Sequence, residues 1–323
     1  MPRLTLALSH YDRLLPLYDG TVGFEGFEVE VLHVGQSLAG RHGNHRHERM
    51  LQAGEFDVCE MSLSSYLMAH DRGHPLTAIP IFPRRLFSQS GIWINADAGI
   101  RAPQDLIGRK VGLGMVQTTL SVLAIGDMQA EYGVPWRAIE WHVDRDESVP
   151  YDPPKEAKIH RLPEGSDIGE MLERGELAAV FRPHPPKPVL RGSKKIVRLF
   201  PDPKKEEEQY FRRNGFYPIM HLIAFRNDVL ERHPTAAMAF MKAFERADEI
   251  SEEYYDDPNW SRLAWGRHYF EAERDLMGAV AWPSGIARNR KNLERFVGYS
   301  LDLGLIRQPP AIEDLFDRSV RLT

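Results

Sequence analysis

Short apolar runs alternate with polar turns through the first two thirds of the chain, a pattern typical of an α/β protein. Residues 4–8 form an apolar run that predicts a buried strand, and residues 27–34 alternate apolar and acidic side chains like a half-exposed strand. Residues 47–53 have helical spacing and stop at Gly54. Further strands are predicted at residues 56–59, 76–82, 91–95, 110–113, 139–143, 177–181 and 222–225.

After Arg226 the apolar residues recur at the three- and four-residue spacing of amphipathic helices. A strand-rich beginning, an inserted second set of strands, and a return strand followed by helices predict a two-lobe α/β fold. This fold has an interlobe cleft and a helical carboxyl-terminal extension. We assign residues 1–92 and 219–323 to lobe 1 and residues 93–218 to lobe 2. A length of 323 residues suits two lobes better than one core.

Composition narrows the classes of function. The net charge of −5 argues against a general nucleic-acid binder, whose phosphate contacts need a basic face. No run approaches the roughly 20 apolar residues that cross a bilayer, and the short apolar run before Ser9 is not a secretory signal. A single cysteine, Cys59, excludes an internal disulfide. We therefore expect a cytoplasmic protein with a small-molecule ligand and neither nucleic acid nor membrane as partner, and homo-oligomer formation stays open.

The run from Gly215 to Arg226 places a titratable residue beside a strong strand pattern. Pro218 cannot donate to a sheet ladder, so it predicts the entrance of the strand. His221 is the one titratable side chain that leads into the apolar run. Two interpretations stay open: a hydrogen-bonded core imidazole, or an acid–base group at the hinge of a cleft.

Polar residues collect where two predicted strands pass into helices. Glu60 and Ser62 follow one strand, and Gln117 and Thr119 follow another. Because the amino end of a helix attracts anions, each position is a candidate site for a carboxylate or phosphate. The alternative for Glu60 is that it merely stabilises the helix end.

A histidine-rich segment offers a competing kind of site. His42, His45 and His47, with Glu48, could gather a metal ion. Their spacing matches no standard zinc motif and the segment contains no cysteine, so we predict no metal. His42 or His47 could instead approach a substrate. The sequence contains no Gly-x-Ser-x-Gly elbow, no Walker loop and no Gly-x-Gly-x-x-Gly after a strand.

Three strings resemble the 4,5-dihydroxyphthalate decarboxylase family: Tyr11-Asp12-Arg13, Phe56-Asp57-Val58-Cys59-Glu60-Met61-Ser62 and Pro218-Ile219-Met220-His221. The resemblance extends over nearly the whole chain. It implies a type 2 periplasmic-binding-protein-like architecture in cytoplasmic use. It also implies the removal of one carboxylate from an aromatic ortho-dicarboxylate, with no organic cofactor.

The chain departs from the family pattern in the predicted cleft. The family usually has Phe-Arg-His-Ser where this chain has Phe87, Ser88, Gln89 and Ser90, so an arginine and a histidine are replaced. Of the family string Tyr-Gln-Met-Thr, only Gln117 and Thr119 are kept. We therefore expect a small aromatic or other carboxylate ligand whose exact identity stays open.

The chemistry of aromatic decarboxylation suggests roles for the candidate residues. His221 would move a proton, and Glu60 would orient the imidazole or hold a substrate hydroxyl. Arginines would bind a substrate carboxylate. The alternative for each arginine is that it forms a surface or interlobe ion pair. The predicted substrate-binding residues are Tyr11, Arg13, Ser62, Arg85, Gln117, Thr119 and Arg182. The competing function is a non-catalytic binding protein for a small anion, of the transporter type.

Overall fold

The computed structural model describes residues 1–36 and 38–323. The eleven strands of this part of the chain are β1 (Arg3–Leu8), β2 (Glu28–His33), β3 (Val58–Ser62), β4 (Leu76–Arg85), β5 (Ile92–Asn95), β6 (Lys110–Leu113), β7 (Glu140–Val143), β8 (Ile159–Arg161), β9 (Ala179–Phe181), β10 (Ile196–Arg198) and β11 (Ile219–Arg226). The α-helices are α1 (Leu15–Tyr18), α2 (Arg46–Ala53), α3 (Leu63–Asp71), α4 (Thr119–Tyr132), α5 (Ile168–Glu173), α6 (Lys187–Leu190), α7 (Pro203–Asn214), α8 (Asn227–Arg232), α9 (Ala236–Tyr254), α10 (Gly266–Met277) and α11 (Ile286–Asp302).

Local sequence explains where several helices begin and end. The hydroxyl of Ser62 accepts a hydrogen bond from the backbone N–H of Ser65 and caps α3. Thr118 caps α4 in the same way through Ser121. Helix α2 ends at Gly54, whose φ of 54° is the left-handed conformation that glycine adopts without strain.

The chain divides into two compact units. Unit 1 comprises Met1–Arg85, His221–Leu293 and Pro310–Thr323, and unit 2 comprises Leu86–Met220 and Glu294–Pro309. The sequence-based limits assign all of residues 219–323 to lobe 1, whereas residues 294–309 belong to unit 2. The lobe limits stay a prediction.

Unit 1 is built on a five-stranded sheet in the order β2-β1-β3-β11-β4. Strand β1 pairs parallel with β2 and β3, and β11 pairs antiparallel with β3. One face of this sheet packs against α9, where the Phe225 and Phe240 rings lie 4.9 Å apart. The buried core includes Leu4, Leu6, Leu8, Val58, Ile223, Phe225, Phe240 and Phe244.

Unit 2 is built on a six-stranded sheet in the order β10-β5-β9-β6-β7-β8. Strands β9, β6, β7 and β8 are parallel, while β5 runs antiparallel to β9 and to β10. Its core contains Trp93, Ile168, Leu172, Leu177, Val180 and Ile196.

A buried polar cluster explains why the end of α11 belongs to unit 2. The carboxylate of Asp127 on α4 accepts hydrogen bonds from Ser88 Oγ at 2.7 Å, Tyr299 Oη at 3.1 Å and Tyr210 Oη at 3.3 Å. Any side chain at Gly126 would come within 2.2 Å of the Tyr299 ring. Glycine is therefore required where these two helices of unit 2 approach each other.

The strand pattern of the sequence is found with small shifts, and two predictions need correction. The strand predicted at residues 56–59 begins at Val58 and continues to Ser62, so Glu60 lies inside it. The strand predicted at residues 222–225 begins at Ile219, so His221 lies inside it too. Glu60 and His221 can lie inside these apolar strands because the two side chains are hydrogen-bonded to each other. Within the described residues, no helix has the length and apolar character to cross a bilayer.

Candidate active site

The register between β3 and β11 brings Glu60 and His221 together in unit 1. His221 pairs with Ser62, and Ile223 pairs with Glu60. Side chains of paired antiparallel residues lie on the same face, and diagonal neighbours on that face are within reach of each other. The Nδ1 atom of His221 accordingly contacts Oε1 of Glu60. Two residues 161 positions apart in sequence therefore form a single pair.

Glu60 is fully buried and surrounded by donors. Its Oε1 accepts a hydrogen bond from the Tyr11 hydroxyl at 2.9 Å and forms an ion pair with Arg46 Nη2 at 2.7 Å. Its Oε2 accepts the backbone N–H of Ser9 at 2.9 Å. Burial acts to raise the pKa of Glu60, but Arg46 and His221 outweigh it and hold the pKa well below its usual range. The carboxylate is therefore ionised at neutral pH.

Arg46 is the cation of this cluster, with 0% of its surface exposed. Its Nε donates to the Glu60 carbonyl at 3.0 Å, and its Nη1 donates to Ser9 Oγ at 2.7 Å and to the Val34 carbonyl at 3.0 Å. The residue before it, His45, has a φ of 57°, a conformation uncommon outside glycine. The sequence patterns described above do not single out Arg46. Its spacing of four from the buried Met50 was the available signal, since it places a charge on the inner face of α2.

The Glu60 carboxylate determines the tautomer of His221. An ionised carboxylate only accepts hydrogen bonds, so Nδ1 of His221 must carry the proton and donate it to Glu60. The approach of Arg46 Nη2 to Nδ1 at 3.3 Å is then a close contact between two donors rather than a hydrogen bond. This tautomer leaves the lone pair on Nε2.

His221 is neutral at neutral pH. Burial lowers its pKa to about 4, even though Glu60 acts in the opposite direction. The ring of His47 packs edge-on against the His221 ring, with centroids 5.0 Å apart at 84°. Burial, with Arg46 and His221 nearby, also holds the pKa of His47 well below its ordinary value. With 7% of its surface exposed, His221 is a base in its resting form.

The other predicted binding residues of unit 1 lie in two places. Tyr11 and Ser62 adjoin the Glu60–His221 pair. The Arg13 guanidinium lies 4.3 Å from the centroid of the Tyr11 ring, and its Nε donates to the Pro83 carbonyl at 3.0 Å. Nη2 of Arg85 instead donates to the Pro283 carbonyl at 2.8 Å and to Asn289 Oδ1 at 2.7 Å. Arg85 therefore has structural partners in its own unit.

The remaining predicted binding residues belong to unit 2. Oε1 of Gln117 accepts the backbone N–H of Val149 at 3.1 Å, and its buried Nε2 has no hydrogen bond to any described residue. Thr119 is buried at the first position of α4. Arg182 is half-buried, and burial lowers its pKa although Asp167 and Asp144 act against this. The binding roles of these three residues stay predictions.

The three histidines of the histidine-rich segment differ in their surroundings. His42 and His45 are exposed, whereas His47 is buried against His221. Across residues 1–36 and 38–323, no three histidine, cysteine, aspartate or glutamate side chains are placed to hold a metal ion. His47 thus adjoins the candidate active site, and the two other histidines are surface residues.

Known proteins resemble this chain in sequence and in fold. Residues 27–146 match the family described as NMT1/THI5 like. The chain is 31% identical over 305 residues to the 4,5-dihydroxyphthalate decarboxylase of Comamonas testosteroni, which covers 91% of this chain and 90% of that protein. It is 29% identical over 217 residues to the enzyme of the same name from Pseudomonas putida, covering 65% and 81%.

In fold, the chain resembles the periplasmic sulfonate-binding protein SsuA of Methylobacillus flagellatus. The TM-score is 0.58 at 11% identity, with 99% of this chain and 92% of that chain covered. At this identity the likeness concerns the fold alone. The predicted type 2 periplasmic-binding-protein-like α/β fold is confirmed.

Proposed function

The chain belongs to the 4,5-dihydroxyphthalate decarboxylase family, and on this premise we propose that it removes one carboxylate from a hydroxylated aromatic dicarboxylate. The observation that carries the proposal is the buried cluster in which Glu60 accepts from Arg46, Tyr11 and His221. With the Ser9 N–H as a fourth donor, this buried carboxylate is costly to assemble, and such clusters are characteristic of sites that move protons. No organic cofactor and no metal is required by the proposed chemistry.

His221 is the proposed base. Its Nε2 accepts the proton of the ring hydroxyl para to the carboxylate that leaves, while Glu60 stabilises the imidazolium that forms. Electron density from the resulting phenolate reaches the ring carbon that bears the carboxylate. That carbon takes up a proton, the carbon–carboxylate bond breaks with its electron pair remaining on the ring, and carbon dioxide departs. His221 then returns its proton to the phenolate, so one proton from solvent is consumed.

Arg46 has a supporting part in this scheme. Because its guanidinium keeps Glu60 ionised, Glu60 accepts the Nδ1 proton of His221 and directs the Nε2 lone pair toward the substrate. Tyr11 holds the same carboxylate oxygen from a second direction. Arg13, Ser62, Arg85, Gln117, Thr119 and Arg182 remain proposed binding residues.

The direct test is incubation of the purified chain with 4,5-dihydroxyphthalate and a panel of other hydroxylated aromatic acids, with carbon dioxide measured. We expect release from at least one dicarboxylate. His221→Gln, whose amide can still donate to Glu60, should lower kcat at least about 100-fold, the range of acid–base catalysis. His42→Gln, a change at an exposed histidine, should leave kcat unchanged. An unchanged rate in His221→Gln would remove His221 from the mechanism.

A second candidate function is a small-anion binding protein of the transporter type. The resemblance of the fold to a sulfonate-binding protein favours it. The same incubation separates the two candidates. Saturable binding of an aromatic dicarboxylate with no carbon dioxide from any member of the panel would support binding without catalysis.

A further inference from the structure

Unit 1 contains a cavity of about 310 Å³ that neither Glu60 nor His221 lines. It lies between the carboxyl end of α9, helix α10 and the segment from Gly278 to Trp282, with Asp12 and Arg13 at one side. Its volume is at the lower end of the roughly 300–1,000 Å³ of small-molecule sites. The ligand that this cavity would bind can therefore be inferred from its lining residues, independently of the decarboxylation proposed above.

Aromatic rings form much of the wall. Tyr255, Tyr269, Phe270 and Trp282 all line the cavity. The Tyr255 and Phe270 rings stack on each other with centroids 5.0 Å apart and 10° between their planes. Aromatic faces carry partial negative charge and attract cations, and several such faces around one space are the recognition device for organic ammonium groups.

The charges of the wall favour a cation as well. Four carboxylates line the cavity, from Asp12, Asp248, Glu252 and Glu273, against the guanidinium groups of Arg13 and Arg274. Each arginine already has an acidic partner in the wall. Arg13 Nη1 lies 3.3 Å from Asp12 Oδ1. Arg274 Nη1 lies 3.5 Å from Glu252 Oε1. An anionic ligand would therefore have to displace these ion pairs. A cation would compete instead with guanidinium groups that already lie at the aromatic faces: Arg13 is 3.9 Å from the Trp282 ring centroid, and Arg274 is 5.5 Å from the Phe270 ring centroid.

Asp248 is the carboxylate that such a cation would meet. It is half-buried on α9 and lines the cavity. No hydrogen bond from a described residue acts on its carboxylate, and Arg13 is the cation that acts on it most strongly. Partial burial of a carboxylate without a hydrogen-bonding partner carries a desolvation cost, which Arg13 and Arg85 offset only in part. A bound cation would remove that cost.

We propose that this cavity binds a compact organic cation, an ammonium group attached to an aromatic or aliphatic body, with Asp248 as counter-ion and the aromatic rings as its walls. The ammonium group lies against Asp248, and the apolar body lies against Trp282 and Phe270. This site is separate from the one that acts on the aromatic acid.

The affinity should depend on pH. Burial raises the pKa of Asp248 to about 6, an effect to which Glu252 and Asp12 add and which Arg13 and Arg85 oppose. Glu273 and Arg274 face the cavity from α10. Asp248 is ionised above that pKa, so cation binding strengthens as the pH rises from 5 to 7.5. Loss of one half-buried contact between a carboxylate and an organic cation should change the affinity for the cation roughly fivefold.

Calorimetric titration of the whole chain with benzyltrimethylammonium at pH 7.5 and pH 5 tests the proposal. We expect saturable binding of one cation per chain at pH 7.5, about fivefold weaker at pH 5, and no comparable binding of benzoate or benzyl alcohol. Asp248→Asn should weaken binding about fivefold and abolish the pH dependence. Trp282→Leu should also weaken binding of the cation, because it removes one aromatic face from the cavity wall.

Two control variants locate the site. Glu249→Gln removes a carboxylate from the exposed face of the same helix, where it pairs with Arg246, and should leave the affinity unchanged. His221→Gln should leave it unchanged as well. The proposal is wrong if the wild-type chain shows no saturable binding. It is equally wrong if benzoate binds as well as the cation, if Asp248→Asn binds like wild type, or if His221→Gln abolishes binding.

Discussion

Replacing Arg46 by methionine tests the central electrostatic feature of the site. Methionine is an unbranched apolar side chain that replaces the aliphatic part of arginine, and it makes none of the hydrogen bonds of the guanidinium. The change removes the cation that contacts Glu60 Oε1 at 2.7 Å and leaves the carboxylate buried, with Tyr11, Ser9 and His221 as its remaining partners. The substitution thus converts a buried ion pair into a buried anion.

The expected cost follows from the burial of both partners. Neither the Arg46 nor the Glu60 side chain is exposed, and removing one member of a buried ion pair typically costs about 3–5 kcal/mol. The donors that remain around Glu60 place the expected loss in unfolding free energy near the lower end, about 3 kcal/mol. His221 should at the same time bind a proton more readily, because a positive charge beside it is gone.

Urea unfolding followed by circular dichroism measures this loss. The matched control is Arg49→Met on the same helix, where the Arg49–Glu55 pair is 30% and 43% exposed. That change should cost no more than about 1 kcal/mol, as exposed pairs do. The double variant Arg46→Met with Glu60→Met removes both charges and should regain part of the lost stability, while remaining inactive. If Arg46→Met is no more damaging than Arg49→Met, the inferred role of the ion pair is wrong.

Two further substitutions and one spectroscopic measurement test other features of the structure. Burial raises the pKa of Asp127 from 3.8 to about 7, so the folded state retains a proton that the unfolded chain loses, and stability falls as the pH rises from about 4 to 7. Asp127→Asn should therefore raise the unfolding free energy by roughly 4 kcal/mol at pH 8, because each pKa unit corresponds to about 1.36 kcal/mol. At pH 4 the same change should alter the unfolding free energy little. Equal gains at both pH values would contradict this reasoning. Tyr66→Phe should cost about 2 kcal/mol in urea unfolding, because the hydroxyl accepts the Ala78 N–H at 3.0 Å and donates to the Leu315 carbonyl; an unchanged midpoint would count against these bonds. Nitrogen-15 spectra of labelled histidine at pH 7 should show His221 as the neutral Nδ1–H tautomer, with the signal assigned by its loss in His221→Gln, and an imidazolium signal would refute the assignment.

Much of the fold could be predicted because strand and helix periods are local properties. Strand β6 occurs at residues 110–113 as predicted, and α2 ends at Gly54 as predicted. The missed strands, β8 and β10, have three residues each and lie at the edges of the unit 2 sheet. Edge strands tolerate charged side chains, so their apolar signal is weak. Helix α7 has a highly charged sequence in which only Tyr210 and Asn214 are buried, so its apolar signal is also weak.

Less of the candidate site could be predicted. Glu60 and His221 stand out because each is a titratable residue within an apolar run. Arg46 does not stand out, because an arginine in a polar segment is usually exposed, and its burial depends on Glu60, 14 positions away. The structural partners of Arg85 are equally remote in sequence, since Asn289 lies 204 positions away. Such contacts are properties of the tertiary structure.

The antiparallel pairing of β3 with β11 makes assembly of the candidate active site a late event in the life of each chain. Unit 2 is almost entirely encoded between these two strands, so a ribosome must produce most of the polypeptide before the base can meet its carboxylate. Closing so long a loop is slow and entropically expensive. A nascent or misregistered chain would accordingly lack the Glu60–His221 pair, so appearance of the proposed activity during refolding would report when the central sheet of unit 1 closes.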